Sequence, residues 1–67
     1  MAVARVSRVI SSSSKGFQDA VDTAVKRATK TLRGVTGAEI TSQKVKIENG
    51  KITEYRVQMA ITFVLDE

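Results

Sequence analysis

The sequence offers few side chains that could carry out a reaction. Its 67 residues include no cysteine, histidine, proline or tryptophan. A zinc site built on Cys or His, a disulfide, and a nucleophile activated by histidine are therefore excluded within this sequence. Carboxylates remain, but no predicted helix or loop brings two of them together with a nucleophile. The sequence therefore predicts that the protein is not an enzyme.

Arg56 is a candidate for binding an anion. Its planar guanidinium can hold a phosphate or a carboxylate through two parallel hydrogen bonds. The alternative is a salt bridge from Arg56 to Glu39, to Glu54, or to an acidic residue of another subunit. Gln43 and Gln58 fall on the same side of the predicted C-terminal hairpin as Arg56, and we expect them to share its binding surface.

Calcium is a second candidate ligand. It needs several oxygen ligands, and Glu48, Asn49, Asp66 and Glu67 could supply some of them if several subunits contribute together. No loop has the oxygen spacing of a dedicated calcium site, so no residue is assigned as a metal ligand.

A short strand and one amphipathic helix precede this hairpin. Residues Val3 to Ile10 are rich in β-branched side chains and predict a strand. Ser11 to Ser14 are typical of a helix start, because a serine hydroxyl can accept a hydrogen bond from the first-turn amides. We predict the helix over about residues 14 to 33, ending near Gly34, which tolerates a left-handed conformation. Its apolar face is formed by Phe17, Ala20, Val21, Ala24, Val25, Ala28 and Leu32.

Asn49-Gly50 is the strongest local signal in the sequence. The pair favours a type I′ turn, and it joins two β-like segments, Ala38 to Glu48 and Lys51 to Leu65. An uninterrupted hairpin around this turn pairs Ile40 with Met59, Ala38 with Ile61, Ser42 with Val57 and Ile47 with Ile52. The predicted fold is α+β in β-α-β-β order, a three-stranded antiparallel sheet whose long hairpin wraps around the helix, in one domain spanning residues 1–67.

The length of this hairpin predicts self-association. A helix of 20 residues is about 30 Å long, whereas a 14-residue strand runs about 46 Å, so one helix cannot cover the sheet. In the uninterrupted register, Val45, Ile47 and Ile52 lie on the face away from the helix. We predict that they form a subunit contact; the alternative is that they are scattered surface residues.

The net charge of +4 could attract phosphate-bearing partners, but solubility is the simpler explanation. The basic end of the helix carries no interleaved aromatic residues that could stack on bases, so nucleic acid is not a predicted partner. Arg5 and Arg8 interrupt the apolar residues near the N-terminus, and no segment reaches the length of a membrane span. We therefore expect a cytoplasmic protein without a membrane partner.

The order of these elements resembles the dodecin family over nearly the whole chain. The resemblance rests on the serine-rich junction before Gly16, the residues Arg27, Ala28, Thr31, Leu32 and Arg33 at the helix end, Asn49-Gly50, and the alternation from Tyr55 to Leu65. It implies a hollow homododecamer without enzymatic activity, which binds flavins such as riboflavin or FMN in pairs at subunit contacts and stores or sequesters them.

Two positions depart from the family pattern. Typical members carry a tryptophan that stacks on the flavin ring where this sequence has Gly37, and a glutamine that bonds the flavin's polar edge where it has Arg56. Loss of an aromatic stack removes about 0.5 to 1.5 kcal/mol beyond the burial of area. The alternative function is therefore a flavin-free structural shell or one that binds calcium.

Overall fold

The computed structural model describes residues 3–65, which form three strands and one helix in the predicted β-α-β-β order. The elements are β1 (Val3–Ser13), α1 (Phe17–Thr31), β2 (Val35–Glu48) and β3 (Lys51–Leu65). The sheet is antiparallel, with β3 in the centre between β1 and β2. Helix α1 packs on one face, which we call the helix-side face; the opposite face is the rear face. The helix is neither long nor apolar enough to cross a membrane.

The junction between β1 and α1 differs from the prediction. The first three serines continue strand β1, and the helix begins at Phe17 with Gly16 as its N-cap and no side-chain cap. Ser13 instead accepts a hydrogen bond from the Lys15 amide (2.9 Å) and donates one to the Asp19 carboxylate (2.6 Å). Pairing of the serines with the central strand β3 satisfies those of their backbone groups that point towards β3 and outweighs their local preference for a cap.

The core is thin and is built on alanines. Ala20, Ala24 and Ala28 are the buried residues of α1, and their small side chains let the helix lie close to the sheet. They face the alternate residues Val57, Met59 and Ile61 of β3, each at most 1% exposed. The predicted apolar stripe is therefore confirmed as the packing face from Phe17 to Ala28. Its last predicted member, Leu32, lies beyond the helix, which ends at Thr31 rather than near residue 33. The stripe leaves Ile40 of β2 46% exposed.

The hairpin turn forms as predicted. Asn49 and Gly50 have φ angles of 52° and 74°, as a type I′ turn requires. The predicted pairs of Ile47 with Ile52, of Ile40 with Met59 and of Ala38 with Ile61 are confirmed. The predicted pair of Ser42 with Val57 is wrong, because Ser42 lies opposite Gln58.

Two β-bulges cause this shift. The register changes between Ile40 and Ser42, which leaves Thr41 as an extra residue in β2, and again at Lys46 and Ile47, which leaves Thr53 as an extra residue in β3. The Thr41 hydroxyl donates to the Gln58 carbonyl (3.1 Å), and the Thr53 hydroxyl donates to the Glu48 carboxylate (3.0 Å). An extra residue reverses which side chains of a strand point to each face.

The first bulge corrects two face assignments. Gln43 pairs with the buried Val57, and Val45 pairs with Tyr55, whose ring packs edge-on against Phe17 at 5.2 Å. Both therefore lie on the helix-side face.

Ile47 and its partner Ile52 were also predicted on the rear face, and this placement is wrong as well. Ile47 follows Val45 by two residues in β2 and therefore shares its face. Ile52 lies directly opposite Ile47, so the pair continues the helix-side face beyond the end of the helix.

The resulting chain is elongated and leaves much of its surface uncovered. It measures 52 × 19 × 13 Å, with a radius of gyration of 13.9 Å, against about 11 Å for a compact chain of this length. Its accessible surface is 5194 Å², against about 4,200 Å² for a folded monomer of its mass. Large apolar side chains are exposed on both faces, among them Val6 and Ile10 of β1 and Ile47 and Ile52 of the hairpin.

Candidate ligand-binding site

Polar and charged side chains gather on the rear face near the turn end of the hairpin. Arg56 and Gln58 alternate with the buried residues Val57 and Met59 of β3, so they point away from the helix. The residues that pair with them in β1 and β2 lie on the same face. The set, which we call the rear-face site, consists of Ile10 from β1, Ser42, Lys44 and Lys46 from β2, and Glu54, Arg56 and Gln58 from β3.

Charged side chains lie opposite one another across the strands in this site. Lys44 pairs directly with Arg56, and Lys46 pairs with Glu54. The Arg56 Nη2 atom lies 2.7 Å from the Glu54 Oε1 atom, and the two side chains are 53% and 31% exposed. The salt bridge to Glu54, one of the alternatives predicted for Arg56, is thus present. A pair this exposed adds at most about 1 kcal/mol to stability.

Two adjoining depressions give the site its shape. One has a volume of about 310 Å³ and is lined by Lys44, Val45, Lys46, Glu54 and Arg56. The other, of about 90 Å³, is lined by Ile10, Ser42, Lys44, Arg56 and Gln58. Lys44 and Arg56 line both, so the depressions share a cationic wall.

The sequence prediction missed the two lysines and Ser42 because the bulge at Thr41 moves them. In a strand without this bulge, the helix-side face that carries Ile40 would also carry Ser42, Lys44 and Lys46. The alternation of lysines at positions 44 and 46 was a visible sign of a charged strand face. It could not show which face of the sheet the strand presents.

A third depression, of about 400 Å³, lies between α1 and the edge strand β1. Its walls are largely apolar and hydroxyl-bearing, with Arg27 as the charged residue among them. It lacks the several charged side chains of the rear-face site, and the sequence predicted no function for it.

Comparison with known proteins identifies the family. The dodecin family model matches residues 3–66. The chain belongs to the dodecin family. No curated protein matches it in a sequence search.

Solved dodecin structures share its fold over almost the full length of both chains. Dodecin from Streptomyces coelicolor is 35% identical, with a TM-score of 0.91, and the match covers 98% of this chain and 94% of that one. Dodecin from Streptomyces davaonensis is 27% identical, with a TM-score of 0.91 and coverage of 98% and 97%. A calcium-chelating antigen from Mycobacterium tuberculosis, calcium dodecin, is 26% identical, with a TM-score of 0.81 and coverage of 96% and 91%.

The four residues predicted to bind a ligand in this dodecin are not all neighbours. Arg56 and Gln58 lie together in the rear-face site. Gly37 is also on the rear face, but it pairs with Thr62, six residues along β3 from Arg56, or about 20 Å. Gln43 lies on the helix-side face. A ligand that touches both Gly37 and Arg56 must therefore be a long molecule, or it must bind between two subunits.

Within residues 3–65 of this dodecin, no three acidic side chains lie close enough together to hold a metal ion in the single chain. Glu48 accepts the hydrogen bond from Thr53, and Asn49 forms the turn. Asp66 and Glu67, the other two residues considered for calcium, lie outside the described residues.

Proposed function

We propose that this chain is the protomer of a hollow, non-catalytic homododecamer that binds and stores a small ligand. Membership of the dodecin family supports the proposal. The observation that carries it is the excess of about 1,000 Å² of accessible surface over that of a compact monomer. Because exposed apolar side chains lie on both faces of the sheet, burying them requires contacts with more than one neighbour. The cytoplasm is the proposed location.

The mass of the native particle tests the assembly. Light scattering after size exclusion should give about 88 kDa, twelve times the 7.3 kDa of one chain. A particle of one-chain mass at micromolar concentration would refute the proposal, since a single chain of this shape leaves its apolar faces in water.

The ligand is proposed to bind the rear face, with Gly37, Arg56 and Gln58 as contact residues contributed by neighbouring subunits. Flavin, either riboflavin or FMN, is the ligand that the family implies. This chain lacks the stacking tryptophan and the glutamine described above, so we propose that it binds riboflavin weakly. The separation of Gly37 from Arg56 within one protomer supports a site shared between subunits.

Restoring the two family residues is expected to restore riboflavin binding. A Cβ atom built on Gly37 meets no atom within 4 Å, so the first side-chain atom of Gly37→Trp lies in open space. Arg56→Gln removes a charge beside a neutral ring. The double variant should quench riboflavin fluorescence and bind it at least about tenfold more tightly than the parent, the size expected of one aromatic stack plus one hydrogen bond. The matched control is Gly37→Ala with Arg56→Gln, which lacks the ring.

Equal riboflavin affinity in the parent and the double variant, with both particles intact, would show that these positions do not decide flavin binding. Calcium is the alternative ligand, favoured by the similarity to calcium dodecin. It would replace flavin in the proposal if calcium, and neither riboflavin nor FMN, raised the Tm of the parent.

A further inference from the structure

We propose that the depression between α1 and β1 binds a small organic monocarboxylate, with Arg27 holding the carboxylate group. We call this surface the helix groove; it lies between Ser7 to Ser11 of β1 and the part of α1 from Thr23 to Thr31. It shares Ile10 and no other lining residue with the rear-face site, so the inference does not depend on which ligand that site binds. Three features of the described residues carry it: a gap in the packing of the helix on the sheet, an arginine without an acidic partner, and unused hydroxyl groups beside an apolar floor.

The groove exists because small side chains face one another across it. Ser7 and Ser11 flank Val9 on the helix-side face of β1, and all three are half-buried. The helix presents Ala24 and Ala28 to them, which are 8% and 5% exposed. Protein interiors are normally filled as densely as an organic crystal, but these residues leave about 400 Å³ open. That volume lies within the usual range for small-molecule sites, about 300 to 1,000 Å³.

Arg27 lines the groove and has no carboxylate partner within residues 3–65. The one ion pair in that part of the chain joins Arg56 to Glu54. The helix positions three and four residues away from Arg27 on either side, where a partner could reach it, hold no acidic residue. The acidic residues of the helix, Asp19 and Asp22, accept hydrogen bonds from other side chains. The planar guanidinium of Arg27 can therefore hold a carboxylate through two parallel hydrogen bonds.

The charge of the groove favours a monocarboxylate over a phosphate. Arg27 is the charged residue among those that line it, so one negative charge on the ligand is neutralised. A phosphomonoester carries about 1.5 to 2 negative charges at pH 7. Its second charge would lie unpaired beside apolar side chains, which is costly.

The other walls determine what the carboxylate is attached to. The hydroxyls of Ser7 and Ser11 take part in no side-chain hydrogen bond within residues 3–65, so they can donate to the carboxylate. Thr31 instead donates its hydroxyl hydrogen to the Arg27 carbonyl (3.3 Å). Val9 and Leu32 are apolar lining residues, and they suit an aromatic ring or a short alkyl chain on the ligand.

Binding should be measured on the native protein with benzoate as the probe, by calorimetry at low salt. Benzamide has the same ring without the charge, and acetate has the charge without the ring. We expect benzoate to bind most tightly and the other two at least about tenfold more weakly, because benzamide loses the charged hydrogen bonds and acetate loses the apolar contact. The affinity for benzoate should fall as salt rises.

Variants locate the binding. Arg27→Gln should weaken benzoate binding about tenfold or more, as expected for loss of hydrogen bonds between charged groups, and should leave benzamide unchanged. Arg27→Lys keeps the charge but loses the planar pair of donors, so its affinity should lie between those of Arg27→Gln and the parent. Ser7→Leu keeps the charge and fills the groove from the side of β1, so it should abolish benzoate binding. Lys26→Gln removes the same charge from an exposed helix residue outside the groove and should change nothing.

Absence of benzoate binding to the native protein would overturn the inference, because it would show that the groove is closed or covered by a neighbouring subunit. Equal affinity in Arg27→Gln and the parent would also overturn it, as would binding that is lost in Arg56→Gln and kept in Arg27→Gln. Equal affinity for benzamide and benzoate would overturn the assignment to a carboxylate. The mass of each variant is measured on the same samples, and Arg27→Lys replaces Arg27→Gln as the deciding variant if the latter does not assemble.

Discussion

Ile47→Asp is expected to break the native particle into species of much lower mass. Ile47 and its partner Ile52 are 63% and 49% exposed in the single chain and lie beyond the end of the helix, where we predict a subunit contact. Burying an unpaired carboxylate costs several kcal/mol, and symmetry repeats that cost in every copy. Light scattering should show the change directly, and Ile52→Asp should have the same effect.

Two substitutions serve as controls for this result. Ile47→Val keeps an apolar side chain at the contact and should leave the mass unchanged. Lys26→Ala alters an exposed helix residue and should also assemble normally. If both aspartate variants kept the mass of the parent, the contact would lie elsewhere, and the exposed Val6 and Ile10 of β1 would be the next residues to test.

Gly34→Ala is expected to lower the free energy of unfolding by about 2 to 5 kcal/mol. This range adds a left-handed backbone penalty of about 1 to 2 kcal/mol to an overpacking cost of about 1 to 3 kcal/mol. Gly34 has a φ angle of 72°, and a Cβ atom there would lie 2.6 Å from the Val64 carbonyl oxygen. The new methyl group would also push apart the 2.9 Å hydrogen bond from the Val64 amide to the Gly34 carbonyl. That bond joins the segment between α1 and β2 to the central strand.

Denaturant unfolding at a fixed protein concentration measures this loss, because the stability of an oligomer depends on concentration. Gly37→Ala is the matched control, since a Cβ atom there meets nothing within 4 Å, and it should unfold near the parent's midpoint. Equal midpoints for the two alanine variants would show that the chain relaxes around Gly34 at little cost.

Local signals in the sequence were sufficient to predict most of the fold. The spacing of alanines and valines predicted the helix, Asn49-Gly50 predicted the turn, and β3 was predicted with its observed bounds. Each of these depends on residues close in sequence, whose preferences act before the chain is folded. The serine junction was misread because Ser11 to Ser13 pair with residues 55–57 of β3, more than 40 positions away.

The candidate site was only partly predictable, and the bulges are the reason. Arg56 and Gln58 were placed on the rear face because β3 keeps its alternation there. Gln43 was placed wrongly, and Lys44 and Lys46 were missed, because the extra residue Thr41 reverses the faces of β2. Threonine is common in strands, so nothing local marks Thr41 as unpaired. Its hydroxyl finds the Gln58 carbonyl only once β2 lies beside β3.

Composition and local patterns predicted the elements, their order and the turn, and they excluded chemistry that depends on cysteine or histidine. These follow from composition and from short-range periodicity. Which side chains share a surface depends on strand register, and register is set by contacts between residues that are distant in sequence. One extra residue in a strand moves every later side chain to the other face. That single shift brings Lys44 and Lys46 to the side of Arg56 and turns a polar sheet face into a cationic site.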